Sequence, residues 1–322
     1  MRRRSLLALP ALLAAPALVR AQEPWPSRPL RFIVPFPPGG SSDFVARIAA
    51  ERMAQSLGQP VVIENRGGAG GNIGTEALAR ATADGYSMGL AAVGTLAVNR
   101  HLYRRLPFDP DRDFIPVSLL AIVPNLMVVP PTLPVNSVTE FAAWAKAQGA
   151  GVNFGSIGNG SSQHLAGVQF NMLTGTRMVH VPYRESAQAN TDLMEGRVQV
   201  LFQSISGPVT DLARTGRMKP LAVTGEQRVP AFPDLPTLKE AGIDVTTTGW
   251  FGLILPAGVP EPIVAKLEAA AVAAMAEPSA RQRITDFGSF ARAEGRAHFT
   301  RFIAEESQRM QAVVRASGAV VD

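Results

Sequence analysis

At 322 residues, 46% hydrophobic and 18% charged, the chain is long enough for two ordinary domains, each with its own core, which excludes global disorder. Its 31 Lys and Arg outnumber 26 Asp and Glu, but Arg2, Arg3, Arg4 and Arg20 lie in the first 21 residues; the remaining 27 basic against 26 acidic side chains exclude a nucleic-acid partner reached through bulk charge. Cysteine is absent, so disulfides and a lipid-modified cysteine are excluded and stability has to come from packing.

The chain begins as an export signal over residues 1–21: Arg2 to Arg4, an apolar run from Leu6 to Val19 too short to stay in a bilayer, and a small-residue cut after Ala21. Its arginines leave both the general secretory and the twin-arginine routes open, and either delivers a protein free in the periplasm. Leu30 to Pro35 reads as a buried strand, and Pro37-Pro38-Gly39-Gly40 as the turn after it. Val45, Ala49, Met53 and Leu57 then recur as one helix face requires. A strand at Val61 to Ile63 leads into glycine-rich Gly67 to Gly74 and a helix through Ala77, Leu78 and Ala81; another strand covers Ser87 to Ala92. This alternation is that of a parallel sheet covered by helices. It resumes after Val129, where Ser137 and Glu140 form a capping box ahead of Phe141 and Trp144. Strands at Val152 to Phe154, Met178 to Val181, Val198 to Phe202, Leu221 to Val223 and Trp250 to Leu255 follow, then helices at about 262–275 and 297–315.

Catalytic signatures are missing. His101, His164, His180 and His298 have no metal-motif spacing, so no metal is expected. Gly155-Ser156-Ile157-Gly158 and Ser204-Ile205-Ser206-Gly207 both miss the nucleophile elbow, and Gly67 to Gly74 lacks a clean dinucleotide register. The chain offers instead two strand-to-helix turns rich in small residues, Gly39-Gly40-Ser41-Ser42 and Gly158-Asn159-Gly160-Ser161-Ser162-Gln163. The unpaired amides and positive dipole end of a helix N-terminus hold a carboxylate without lysine, and serine hydroxyls add donors. Plain N-capping is the alternative for each turn taken alone.

From Pro35-Phe36-Pro37-Pro38-Gly39-Gly40-Ser41-Ser42-Asp43 onward the sequence resembles the Bug family, the extracytoplasmic solute receptors of tripartite tricarboxylate transporters. Val62 to Gly74, Asp84-Gly85-Tyr86, Asn153-Phe154-Gly155-Ser156 through His164-Leu165, His180-Val181-Pro182-Tyr183, Leu221 to Thr224 and Phe232 to Thr237 are similar to further blocks of that family, in order. The resemblance implies a type II periplasmic-binding-protein fold, two α/β lobes joined by crossover strands around a ligand cleft. On this reading residues 22–125 with 250–322 make one lobe and 126–249 the other. It further implies a small carboxylate ligand (a mono- or dicarboxylate, an acidic amino acid or an aromatic acid), no cofactor, no catalysis, a monomer, and large and small integral-membrane transporter subunits as partners.

Carried onto this chain, the implied ligand-binding residues are Phe36, Gly39, Gly40, Ser41, Ser42, Asp43, Gly94, Thr95, Asn99, Gly158, Gly160, Ser161, Ser162, His164 and Tyr183. Asp43 also has a dipole reason to sit in a helix's first turn and would repel a carboxylate, Trp250 either lines the cleft or packs beside it, and His164 is placed to orient its loop. Leu96, Arg184-Glu185-Ser186 and Gln199 depart from the family pattern, so a relative's ligand does not transfer directly. An exported α/β hydrolase or transferase is the competing reading, weakened by the missing motifs; a regulator's sensing module is disfavoured by the export signal and the lack of a helix-turn-helix segment.

Overall fold

The computed structural model describes residues 25–317 and 320–321; the export signal expected over residues 1–21 lies outside them. Strand β1 (Leu30–Val34) is buried along nearly its whole length, as a strand covered on both faces must be. Helix α1 (Ser41–Leu57) buries Val45, Ala49, Met53 and Leu57, and stops where Gly58 takes the left-handed conformation and returns its N–H to Ala54 O. Strand β2 (Val61–Asn65) is the half-buried edge, followed by a 3₁₀ turn over 69–71, α2 (Asn72–Ala79) and β3 (Ser87–Ala92). Residues 94–98 then form a π-helical turn running into α3 (Asn99–Leu102).

The largest departure from expectation comes next. A 16-residue strand, β4 (Phe114–Val129), fills a stretch that carried no strand signal, because Pro116 and Pro124 punctuate it. Pro116 sits at a register shift in the pairing with a neighbouring strand, where a missing N–H breaks nothing. Beyond β4 come α4 (Val138–Gln148), β5 (Asn153–Ser156), α5 (Ser162–Thr174), β6 (Val179–Pro182), α6 (Ser186–Met194), β7 (Val200–Ser204), α7 (Gly207–Arg214) and β8 (Lys219–Val223). Strand β9 (Thr248–Pro256), α8 (Glu261–Ala276), α9 (Pro278–Asp286), β10 (Phe290–Gly295) and α10 (Arg296–Ser317) complete the chain. The Ser137 hydroxyl caps α4 by accepting the Glu140 N–H, while the Glu140 carboxylate reaches back to the Asn136 amide.

Ten strands form one curled sheet in the order β2-β1-β3-β9-β4-β7-β5-β6, with β8 and β10 also on β4. Strands β2, β1 and β3 are parallel, as are β7, β5 and β6; β9 and β4 run antiparallel to each other between the two sets. This is the type II periplasmic-binding-protein arrangement, with β4 and β9 as its crossovers. Strand β4 pairs with β9 as far as Pro124 and with β7 from Asn125, so one strand carries the sheet from one lobe into the other. Two apolar clusters, built largely from 30–123 and 250–314 around Phe32, Met53, Trp250 and Phe299, pack one lobe. Two more, around Phe141, Phe154, Phe170 and Phe202, and around Leu193 and Ile205, pack the other. The turns that follow β2 and β3 meet the turn that follows β5, where Gly70 faces Asn159 and Gly94 and Asn99 face Gly160.

Candidate functional site

The turn after β1 is left open at the head of α1. Gly39 adopts φ +83°, a conformation that glycine takes at no steric cost, and Gly40 occupies the N-cap with no side chain to accept an amide. The helical ladder starts only at the Phe44 N–H, which bonds Gly40 O at 3.0 Å; the amides of Ser41, Ser42 and Asp43 precede it. Ser41 and Ser42 are 8% and 5% exposed, and neither hydroxyl has a hydrogen-bond partner among the described residues.

Asp43 is different. Gly39 N–H and Arg47 Nε donate to its Oδ2 at 3.1 and 2.9 Å, and Asn65 Nδ2 donates to its Oδ1 at 3.0 Å. Burial alone would raise its pKa, but the bonds from Arg47, Gly39 and Asn65, with the charge of Arg47, hold the carboxyl below its ordinary value. Contrary to its place among the expected ligand groups, both oxygens of Asp43 are engaged in holding the turn.

The turn after β5 is closed on itself. Gly158 (φ +121°) and Gly160 (φ +79°) bend the chain so that Ser161 caps α5: its hydroxyl accepts the His164 N–H at 3.2 Å and donates to Gly158 O at 2.8 Å. Gly160 N–H donates to His164 Nδ1 at 3.2 Å, which requires a neutral ring carrying its proton on Nε2. Burial lowers the His164 pKa to about 4. Behind it, burial and the neighbouring His164 lower His180 to about 3; the two rings lie 4.2 Å apart, and His180 Nε2 is 2.6 Å from Ser156 Oγ. Ser162 Oγ donates to Asn125 Oδ1 at 3.2 Å. Ser161 and Ser162, expected as ligand donors, therefore have their hydroxyls committed to the fold, and His164 orients its loop as expected.

Loops of the two lobes touch through backbone. A Cβ on Gly160 would lie 2.3 Å from Asn99 Oδ1, and one on Gly94 3.3 Å from Gly160 O. A Cβ on Gly70 would lie 2.8 Å from Asn159 O, and one on Gly71 2.8 Å from Thr95 Cγ2 and 3.3 Å from the Phe36 ring. Phe36, Gly94, Thr95, Asn99, Gly158 and Gly160 are thus gathered around Gly70 and Gly71. Within that cluster the Thr95 hydroxyl is turned back on Ala92, 3.2 Å from both its N and its O. Asn99 Nδ2 donates to Asn72 Oδ1 at 2.6 Å, while Asn99 Oδ1 is buried without a partner among the described residues.

Tyr183 stands apart: its hydroxyl donates to Asp192 Oδ2 at 2.8 Å, and burial together with Asp192 pushes its pKa up to about 12. It packs beside Gly155 in the second lobe. Trp250 is fully buried, edge-on to Phe299 and Phe302, with Nε1 donating to Glu306 at 3.2 Å; it packs the core and lines no cleft. Leu96 is buried in the same cluster.

Sequence reasoning missed two groups. Gly70, in the glycine-rich run discounted as a nucleotide loop, faces Asn159 across the lobes, and Asn72 beside it accepts from Asn99; the dense glycines were the available signal. Asn125 sits on β4 at the crossover, accepting from Ser162 and from Ser204 (3.0 Å) and donating to Thr247 O (3.3 Å). Nothing in the sequence marks it.

Residues 45–319 match the family described as "Tripartite tricarboxylate transporter family receptor". The chain is 36% identical to protein BugT of Bordetella pertussis, over 98% of each. Among solved structures it is similar to Rpa4515 of R. palustris with adipate (TM-score 0.87, 35% identity, 92% of this chain and 99% of that one). It is also similar to MatC (Rpa3494) of Rhodopseudomonas palustris with bound malate (TM-score 0.83, 34% identity, 90% of this chain and 100% of that one).

Proposed function

The chain belongs to the tripartite tricarboxylate transporter family of receptors, and from that premise we propose that it captures a small carboxylate by closing its lobes and delivers it to a large and a small integral-membrane subunit. The observation that carries this reading is the open head of α1, where the amides of Ser41, Ser42 and Asp43 precede the helical ladder and the hydroxyls of Ser41 and Ser42 have no hydrogen-bond partner among the described residues. A carboxylate satisfies these groups together, and the helix dipole adds to the attraction. The adipate and malate bound by the two solved relatives are short diacids, which supports the same class here.

Closure follows if the ligand touches both lobes, because only differential contact shifts the open–closed equilibrium. The proposed moving bodies are 22–125 with 250–322, and 126–249, turning about the crossovers near Asn125; the receptor works in the periplasm as a monomer. Thermal unfolding against a panel of acids, sugars and neutral amides tests the function. An acid at a hundredfold excess over Kd adds about 2.7 kcal/mol and raises the midpoint by a few degrees. A midpoint moved by a sugar and by no acid refutes it.

A further inference from the structure

We infer that Asn125 is a positioning residue for capture: its side chain ties the β5–α5 turn to the point where both crossovers pass between the lobes. The inference rests on the capture reading above. Asn125 is fully buried at the residue where β4 leaves β9 for β7. Its side-chain carbonyl accepts two hydroxyls, from Ser162 at the head of α5 (3.2 Å) and from Ser204 at the end of β7 (3.0 Å). Its Nδ2 donates to Thr247 O at 3.3 Å, one residue before β9. A backbone carbonyl only accepts, so the amide fits one way round and each of its ends is specified.

The same ties run outward into the turn. Ser204 Oγ accepts from Gln163 Nε2 at 3.2 Å, and Gln163 Oε1 accepts the Ile157 N–H at 3.1 Å, inside the turn after β5. Thr247 Oγ1 donates to Gln169 Oε1 at 2.5 Å, further along α5. A Cβ on Gly249 of β9 would lie 3.3 Å from Ser162 Oγ, so the second crossover also runs close beside the head of α5. Leu165, in the first turn of that helix, is buried in the first-lobe cluster of Trp250 and Phe299. The head of α5 is therefore fastened to β4, to the segment entering β9 and to the first-lobe core, and Asn125 bonds α5, β7 and the second crossover at once. A buried hydrogen-bond network rigidifies what it joins. What it joins here is the turn that sets Gly160 against Gly94 and Asn99 of the first lobe. Closing the lobes turns them about the crossovers; a turn tied to those strands keeps its register on the first lobe, and a turn cut loose does not.

Asn125→Asp tests this within one chain. The protonated acid copies the amide, its O–H toward Thr247 O and its carbonyl toward the two serines, whereas the carboxylate has no donor for Thr247 O. Burial raises the pKa of such a carboxyl, so the exchange between the two forms falls between about pH 8.5 and about pH 5.5. Adipate and malate are titrated at each pH and read as the ratio of variant to wild-type affinity. Closure is read as the distance between spin labels on Gln55→Cys and Ala147→Cys, exposed positions on opposite lobes of a chain without cysteine. Thr224→Val is the control: the Thr224 hydroxyl, equally buried, accepts the Asn125 N–H and donates to Thr247 O, but leaves the Asn125 side chain and its serines untouched. At about pH 8.5 Asn125→Asp is expected to bind at least about tenfold more weakly than wild type, with a smaller change in label distance on adding acid; at about pH 5.5 both return to the wild-type values. Thr224→Val lowers the midpoint and keeps affinity within about threefold. If the ionised variant does not fold, Ser204→Ala, which leaves Asn125 one donor short, is expected to lose about fivefold, and affinity within about twofold of wild type overturns the inference. So does an affinity ratio that stays flat while the midpoint of Asn125→Asp recovers in acid. Thr224→Val losing as much affinity as ionised Asn125→Asp assigns Asn125 a purely structural role and overturns it too. A wild type that binds neither acid, with labels that do not move, removes the capture reading, and the inference falls with it.

Discussion

The heads of α1 and α5 are spelled almost alike, Gly39-Gly40-Ser41-Ser42 against Gly158-Asn159-Gly160-Ser161-Ser162, yet the first leaves its amides and hydroxyls open and the second consumes its own. One residue of phase separates them. In α1 a glycine occupies the N-cap and both serines fall inside the helix; in α5 the first serine is the cap, and its neighbour turns to the crossover at Asn125. Glycine-serine spelling therefore identifies a strand-to-helix turn, while the position of the cap decides whether that turn binds anions or braces the fold.

Acid separates the two heads most strongly. The folded state holds His164 neutral, so the unfolded chain binds more protons between pH 6.5 and about 4, and stability falls as pH drops through that window. For His164 alone the loss is on the order of 3 kcal/mol by pH 4, with His180 extending it lower, whereas the Asp43 clamp on α1 fails only below the usual carboxylate range. Thermal midpoints across pH 7 to 4 check it, and a flat profile breaks the distinction. Next in size is Gly160→Val, whose side chain collides with Asn99 Oδ1 where the lobes touch and lowers ligand affinity by about a hundredfold. Gly149→Val, also at a positive φ (+62°) but with open space around it, leaves affinity within about threefold.

Replacing Ser41 and Ser42 together by alanine lowers affinity by about ten- to thirtyfold with no change in the unliganded midpoint, because their hydroxyls bond to none of the described residues. Ser161→Ala does the reverse, costing about 1 kcal/mol of stability while affinity stays within about threefold. If titration and melting gave the two serine sites the same pattern, the contrast between the heads would fail.

Much of this architecture was legible beforehand. The period-four face of α1, the short apolar strands and the Ser137 cap each follow from local rules that tertiary contacts did not override. Strand β4 was hidden because its prolines sit at register shifts and strand ends, information that only the paired strand holds. Strand β10 was hidden because Arg292 and Glu294 interrupt its apolar pattern, as its half-buried position permits. At the site, the turns were visible but the commitments of their side chains were not: that Asp43 is clamped, that Tyr183 points to Asp192 and that Ser162 serves Asn125 depends on partners 4, 9 and 37 residues away.

The most direct test of the central claim is a crystal structure of the protein with its tightest-binding acid. A carboxylate seated within about 3 Å of the Ser41 and Ser42 amides, with the lobes closed at Gly70 and Gly160, is the predicted result. Cargo held elsewhere, or held by α5 with the head of α1 empty, would contradict it.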